Sequence, residues 1–398
     1  MTEVSSTATC PTPHLHCARQ PRQPQNNLQR ILMNEIKKRI AIVTWFEADN
    51  FGTALQAYAL YHKIADLGYS VWFLRKIGVV RSIKQMLHKL FPFWKNGSNV
   101  ERTKSDKLIA DYSVVNFYTI SPLHHRVNRK TDVYVTGSDQ IWNTMFFWDP
   151  FYFLYFAPKN KKIAYGSSIG TSQVNPKYKQ KVKKYLSGFT HIGVREHSSV
   201  EVLSSLLERK DIVSVPDPTF LLSKEEWIDF ANKAFFVRPI PQKYMFVYFV
   251  GKNNAQAYNQ MIKTIRKEYN IQQMVVIPSY ESGVSIDTTD SDLIYKEAEP
   301  YEFVSLLQDA TLVCTDSFHA TALSINFGKE FYVAKRFADN DPLSQNTRIT
   351  DLLSHYGLSN RLYNGDCCTE TMHSDNISKR VMTERQNGIQ YLIDSIEH

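Results

Sequence analysis

The nine residues Cys314-Thr-Asp-Ser-Phe-His-Ala-Thr-Ala hold the sharpest candidate for chemistry in the chain. His319 follows a buried apolar run and opens a helix of small residues, where an imidazole can act as acid or base. Asp316 lies close enough in sequence to orient that ring or to cap the helix. The residues alone leave a structural histidine equally open. A second cluster, Thr136-Gly-Ser-Asp-Gln-Ile-Trp-Asn, packs hydroxyl, carboxylate, amide and indole groups into one turn. That mixture suits sugar recognition, although a helix cap by Ser138 or Asp139 with Trp142 in the core would also explain it.

Two further segments sit at strand ends. Asn50-Phe-Gly-Thr-Ala-Leu-Gln opens a helix, and its free N–H groups beside Gly52 and Thr53 can receive an anion or a hydroxyl. A simple tight turn explains it about equally well. In Val194-Arg-Glu-His-Ser-Ser, Arg195 leaves a strand where a fixed guanidinium can take a carboxylate or phosphate in two bonds. Pairing of that arginine with Glu196 is the plain alternative. Ser167-Ser-Ile-Gly is a similar, weaker turn, and Lys335, Arg336 and Arg348 add positive charge downstream of His319.

These segments need a scaffold that brings strand ends together. From residue 39 the chain alternates short β-branched runs with amphipathic stretches, the pattern of parallel sheets with crossover helices. Expected strands are Arg39 to Trp45, Val71 to Leu74, Asp132 to Thr136, Lys162 to Tyr165, His191 to Val194 and Asp211 to Val215. A second set follows at Tyr244 to Val250, Met274 to Ile277, Thr311 to Cys314 and Glu330 to Ala334. Expected helices run from Thr53 to about Leu67, closed by Gly68, and over Asn254–Tyr269, Tyr301–Leu307 and Ser378–Glu397. Ser223 with Glu226 spells a capping box that starts another helix. The stretch 80–130 reads as a helical, basic excursion. In such sheets, ligands sit beyond the carboxyl ends of the strands, where all the segments above fall.

The chain has 398 residues, 43% hydrophobic and 22% charged, more than one core usually spans. Four parts are expected: a disordered extension over 1–33, Rossmann-like domains over 34–222 and 223–375, and a C-terminal helix over 376–398. Pro11, Pro13, Pro21 and Pro24 break up the extension, which lacks the apolar core of a secretory signal. Its Cys10, His14, His16 and Cys17 match no standard zinc spacing. Met33 is the expected natural start.

The net charge of +8 favours acidic partners but is spread along the chain, so nucleic acid is not an expected one. Lysine clusters at Lys159–Lys162 and Lys179–Lys184 read as solvated faces. Five cysteines form no C-x-x-C pair, which points to a reducing, cytoplasmic setting. No apolar run approaches the roughly 20 residues of a membrane span. Arg81 to Trp94 is the stretch with the composition to touch a membrane face, and an amphipathic helix packed on its own domain is the expected reading of it.

In order, Asn50-Phe-Gly-Thr-Ala-Leu-Gln-Ala-Tyr-Ala-Leu, Gly137-Ser-Asp-Gln-Ile-Trp-Asn, Gly193-Val-Arg-Glu, Pro216-Asp-Pro-Thr-Phe-Leu-Leu and Thr315-Asp-Ser-Phe-His-Ala resemble the polysaccharide pyruvyl transferase family. The resemblance covers about Lys38 to Leu362. It implies two Rossmann-like domains facing a cleft, as in two-domain GT-B glycosyltransferases, with the acceptor on the N-terminal side and the donor on the C-terminal side. It implies phosphoenolpyruvate as donor, a sugar or lipid-linked oligosaccharide as acceptor, a cyclic pyruvate ketal of a surface polysaccharide precursor as product, and no metal or other cofactor. A cytoplasmic transferase in peripheral contact with the inner membrane face fits that picture.

By the same resemblance, Arg195 and His319 hold and activate the donor; Asp316 joins them as a catalytic candidate on its sequence position alone. Asp139, Gln140 and Trp142, with Asn50, Gly52, Thr53 and Ser138, are candidates for the acceptor pocket. Many relatives carry Arg-Leu-His where this chain has Ser317-Phe318-His319, so Ser317 joins the substrate-binding candidates and Lys335, Arg336 or Arg348 is expected to supply the missing charge. Two other readings compete: a glycosyltransferase using a nucleotide sugar, against which no paired-glutamate ribose motif is found, and a catalytically inactive glycan-binding member.

Overall fold

Short β-branched runs that end in polar turns do form parallel strands. The computed structural model describes residues 37–47, 50–78, 106–118, 127, 129–252, 254–279, 283–338, 341, 343–367, 370, 372 and 375–398. The chain divides into a short unit up to Lys37 and one continuous unit, Lys38–His398, which holds both sheets.

The first sheet contains β1 (Arg39–Val43), β2 (Ser70–Ile77), β3 (Val114–Tyr118), β4 (Val133–Thr136), β5 (Lys162–Ser167), β6 (His191–Val194) and β7 (Val213–Ser214). Its order is β3-β2-β1-β4-β5-β6-β7, with every pairing parallel. The second sheet contains β8 (Met245–Tyr248), β9 (Met274–Val276), β10 (Leu293–Ile294), β11 (Leu312–Thr315) and β12 (Phe331–Val333). It runs β10-β9-β8-β11-β12, again all parallel. Both sheets are doubly wound, as the alternation predicts. The strand order reverses between β1 and β4 in one and between β8 and β11 in the other.

Ten helices are described: α1 (Phe51–Asp66), α2 (Asp106–Ala110), α3 (Lys179–Leu186), α4 (His197–Leu207), α5 (Lys224–Ala231), α6 (Ala255–Glu268), α7 (Pro300–Asp309), α8 (Phe318–Phe327), α9 (Thr347–Tyr356) and α10 (Asp375–Glu397). Local signals set several ends. Ser223 Oγ accepts from the Glu226 N–H at 3.1 Å while Glu226 Oε2 accepts from the Ser223 N–H at 2.6 Å, closing the expected capping box. Gly68, at φ +85°, follows α1 in the left-handed conformation that an L side chain resists.

One expectation is corrected. Within the basic excursion 80–130, Val114–Tyr118 is a strand, not helix, and pairs with β2 along its length. Its Val-Val-Asn-Phe-Tyr composition is that of an edge strand, and the alternation there is too short to separate from helix by pattern alone. The stretch Arg81–Trp94, the four Cys and His residues of the N-terminal extension and Met33 lie outside the described residues.

Helix α1 is buried on almost every face, because it packs between its own sheet and the second half of the chain. Phe51 stacks on Phe303 with ring centroids 4.5 Å apart and meets Tyr248 edge-on at 5.8 Å. The long α10 returns to the first sheet. Tyr391 Oη donates to the Ala164 carbonyl at 2.9 Å, and Arg385 bonds the Phe220 carbonyl and Asn326. Among the described residues no helix is long and apolar enough to cross a membrane.

Candidate functional site

Loops leaving the two reversal points converge, as doubly wound sheets dictate. They line a cavity of about 510 Å³ whose wall includes Asn50, Thr53, Asp139, Gln140, Ser317, Phe318, His319, Arg336 and Arg348. Asn50 and Thr53 follow β1, Asp139 and Gln140 follow β4, and Ser317 to His319 follow β11.

Polar bonds between loops hold the floor. Thr53 Oγ1 donates to Asp139 Oδ2 at 2.7 Å, tying the first turn of α1 to the β4 loop. Asn50 caps α1 by accepting from the Thr53 N–H at 3.3 Å. Asp139 has φ +69°, a conformation aspartate tolerates better than most residues, and its other oxygen takes the Gln140 N–H at 2.9 Å. Burial alone would raise the Asp139 carboxyl. The charges of His319 and Arg195 and the bond from Thr53 outweigh it and hold the carboxyl below its ordinary value.

His319 lies against the N-terminus of α1. A Cβ on Gly52 would sit 2.1 Å from His319 Nδ1 and 2.6 Å from Cγ, so only glycine admits the ring there. On its other side His319 Nε2 is 3.6 Å from Asp217 Oδ2. Asp217 is fully buried. Its Oδ2 accepts from Ser138 Oγ at 3.0 Å and Arg195 Nη1 at 3.1 Å, and its Oδ1 accepts from the Thr219 N–H and hydroxyl. Burial opposes ionisation of Asp217, but His319, Arg195 and the Thr219 N–H keep its carboxyl far below the usual range.

The structure thus separates the expected site residues. Asn50, Thr53, Asp139, Gln140, Ser317, His319 and Arg348 share one cavity wall, and Gly52 backs His319. Arg195 sits behind that wall, bonded to Glu196 at 3.0 Å and to Asp217, with its guanidinium 4.1 Å over the Phe318 ring. Ser138 is spent on Asp217. Trp142 is core, stacked on Phe153 and donating to the Tyr152 carbonyl at 3.0 Å. Asp316 points away, accepting from the Val250 and Gly251 N–H groups at 2.7 Å each and from Tyr258 at 2.6 Å. Ser317 caps α8 instead, and Asp217 is the carboxylate that faces His319. Lys335 is exposed and is not on the cavity wall.

Arg348 stands apart from the other arginines. It is 5% exposed, bonds Gln345 Oε1 at 3.1 Å and leaves Nε without a partner. Among the described residues no carboxylate pairs with it, whereas Arg195 pairs with two and Arg336 with one. Burial, then the charges of Arg195 and Arg336, push its guanidinium down to about 9. A buried cation with no carboxylate partner on a cavity wall has unspent capacity to receive an anion. Sequence reasoning passed over Asp217, whose signal was an Asp-Pro at the end of a strand, and over Trp45 and Tyr152, whose wall positions depend on packing alone. Among the described residues no group of three or more His, Cys, Asp or Glu is arranged to hold a metal ion.

Comparison with known proteins gives a family. A family described as polysaccharide pyruvyl transferase matches residues 50–334. No curated protein matches the chain. Among solved structures, a Listeria monocytogenes protein described as a UDP-N-acetylglucosamine 2-epimerase aligns over 90% of this chain and 91% of its own, at 10% identity and a TM-score of 0.49. The UDP-GlcNAc 2-epimerase of Methanocaldococcus jannaschii aligns over 88% of this chain and 99% of its own, at 10% identity and 0.46. The Arabidopsis thaliana UGT89C1, complexed with quercetin, aligns over 91% and 94%, at 11% and 0.42. At these values the likeness says nothing about what this chain binds.

Proposed function

The chain belongs to the polysaccharide pyruvyl transferase family, and from that premise we propose that it transfers a pyruvyl group from phosphoenolpyruvate to a hydroxyl pair of a sugar. The observation that carries this reading is the buried, unpaired Arg348 on the same wall as His319, in a cavity of about 510 Å³. Phosphoenolpyruvate is a small, strongly anionic donor, and a desolvated guanidinium binds and stabilises such charge far better than one in water.

The chemistry balances with side chains alone. One sugar hydroxyl adds to the enol C2 while its proton leaves and a proton reaches C3, turning the methylene into a methyl. The C2–O bond to phosphate then breaks as the second hydroxyl adds, and its proton leaves with the phosphate. His319 is the group proposed to move protons. Asp217, on the Nε2 side, steadies the imidazolium between those steps, and Arg348 with Arg336 takes the carboxylate or phosphate. Gln140 and Asn50 are the proposed acceptor contacts, assisted by the Asp139 carboxylate. The acceptor proposed is a sugar of a surface polysaccharide precursor, free or lipid-linked.

The test is phosphate release from phosphoenolpyruvate with galactose-, mannose- and glucosamine-containing acceptors, in wild type and His319→Gln. Release in wild type with a loss of about 10²-fold or more in the variant is expected. Calorimetry with a nucleoside diphosphate in parallel separates the nucleotide-sugar reading, which requires that ligand to bind and phosphoenolpyruvate not to. A glycan-binding, inactive protein is the second reading, favoured by the burial of Arg195 in internal ion pairs. Acceptor binding with no phosphate release under any donor would establish it.

A further inference from the structure

Between Asp149 and Glu196 the chain carries eight lysines, one arginine at its far end and no acidic residue. The fold sets three of these lysines on one exposed face. Lys159 is exposed in the turn before β5, and its side chain runs beside Gly188, just past the end of α3. Lys177, Lys181 and Lys184, spaced four and three residues apart, form one exposed stripe at and along α3. Lys179 is also exposed but lies about 200° around the helix from Lys177, off this stripe. Lys183 is paired with Glu208 at 2.5 Å, but among the described residues no carboxylate pairs with Lys159, Lys177, Lys179, Lys181 or Lys184.

Aromatic rings lie under this charge. Trp148 and Tyr178 stack with centroids 4.7 Å apart and planes 7° from parallel. The Lys181 ammonium stands 5.7 Å from the Trp148 ring and 5.9 Å from the Tyr178 ring, and the Lys177 ammonium 5.4 Å from Tyr178. The heads of Lys177 and Lys181 therefore stand over aromatic rings on an exposed face, which puts charge and apolar area side by side, an arrangement suited to a boundary between apolar and charged layers. Phe146, 52% exposed, and Phe147 continue the same loop and line a pocket of about 650 Å³ that shares Trp45, Gln140, Val250 and Arg336 with the catalytic cavity.

We propose that this α3 face docks the protein onto an anionic lipid surface. Lysines give a diffuse, point-charge attraction that suits a sheet of headgroups, whereas nucleic-acid recognition favours the forked arginine, which is missing from the stripe. A substrate presented from the docked surface reaches the cavity past Phe146 and Phe147. The inference stands on the α3 face alone and does not depend on the identity of the donor.

The experiment is co-sedimentation of the full chain with phosphatidylcholine vesicles, with and without a minor fraction of phosphatidylglycerol, at low and high salt. Wild type is expected on the anionic vesicles only, and to be released by salt. The variant Lys177→Glu/Lys181→Glu/Lys184→Glu should lower the partition coefficient roughly tenfold or more. Lys224→Glu/Lys263→Glu/Lys267→Glu, exposed residues elsewhere with the same change in net charge, should retain most of the binding. No wild-type binding, equal loss in both variants, or retention in both overturns the proposal, as does binding of duplex RNA through the same lysines without vesicle binding. Thermal unfolding of each variant checks its fold, and single Lys177→Gln and Lys181→Gln changes read the same gradient if the triple variant misfolds.

Discussion

Replacing Arg348 by methionine is expected to strengthen the fold and abolish anion binding at once. The guanidinium is 5% exposed, has no carboxylate partner among the described residues and is pushed down to about 9 by burial and by Arg195 and Arg336. A guanidinium stays charged at neutral pH, so the displacement is a cost on the order of 4–5 kcal/mol for holding that charge in the unliganded protein. Relaxation of the surroundings lowers the recoverable part, and Gln345 loses its partner at about 1 kcal/mol. Methionine, similar in length and apolar, should therefore return about 1–3 kcal/mol of stability. Urea unfolding reads the first half of the prediction and calorimetric titration with phosphoenolpyruvate the second. In wild type, phosphoenolpyruvate at about 100 times its Kd should add about 2.7 kcal/mol to stability, and in the variant nothing. A variant that loses more than about 1 kcal/mol, or that binds phosphoenolpyruvate like wild type, refutes the assignment of Arg348 as an anion site held at a cost.

Three other outcomes follow from the same geometry. Gly52→Ala places a methyl 2.1 Å from His319 Nδ1, so the gain of about 1 kcal/mol in helix propensity should be cancelled by strain, and a ring displaced by about 1 Å should cost phosphate release about 10²-fold; full activity would deny the close approach. Asp217→Asn leaves Arg195 with Glu196 alone and should cost about 3 kcal/mol in urea unfolding at neutral pH. Since the folded carboxyl is held below its unfolded value, its contribution is full above the ordinary carboxylate range and is lost on acidification through the folded value, so the wild-type excess over the variant should shrink as pH falls below about 4. His197, lowered first by burial and then by the neighbouring His355 at 3.0 Å, binds its proton more weakly folded than unfolded. Stability should therefore decline as pH drops below about 6.5, and His197→Asn should flatten that decline in unfolding curves across the range.

The alternation of strands and helices, the capping box at Ser223, the glycine after α1 and the strand-end position of each polar motif were all legible in the linear chain. They rest on interactions within a few residues, where the type of residue nearly determines the conformation. Family resemblance likewise lies in ordered local motifs, from Asn50 to the strand after His319. What only the tertiary structure decided is which motif residues face one another. Thr53 meets Asp139 across 86 positions and Ser138 meets Asp217 across 79, distances over which no periodicity carries information. Arg195 looked like a donor contact because its type and strand-end position suit one, yet Glu196 and Asp217 already neutralise it. Arg348 looked like one basic residue among several. Burial without a carboxylate partner set it apart, because an ion's chemistry depends on the charges and solvent around it, and those are supplied by chain segments remote in sequence.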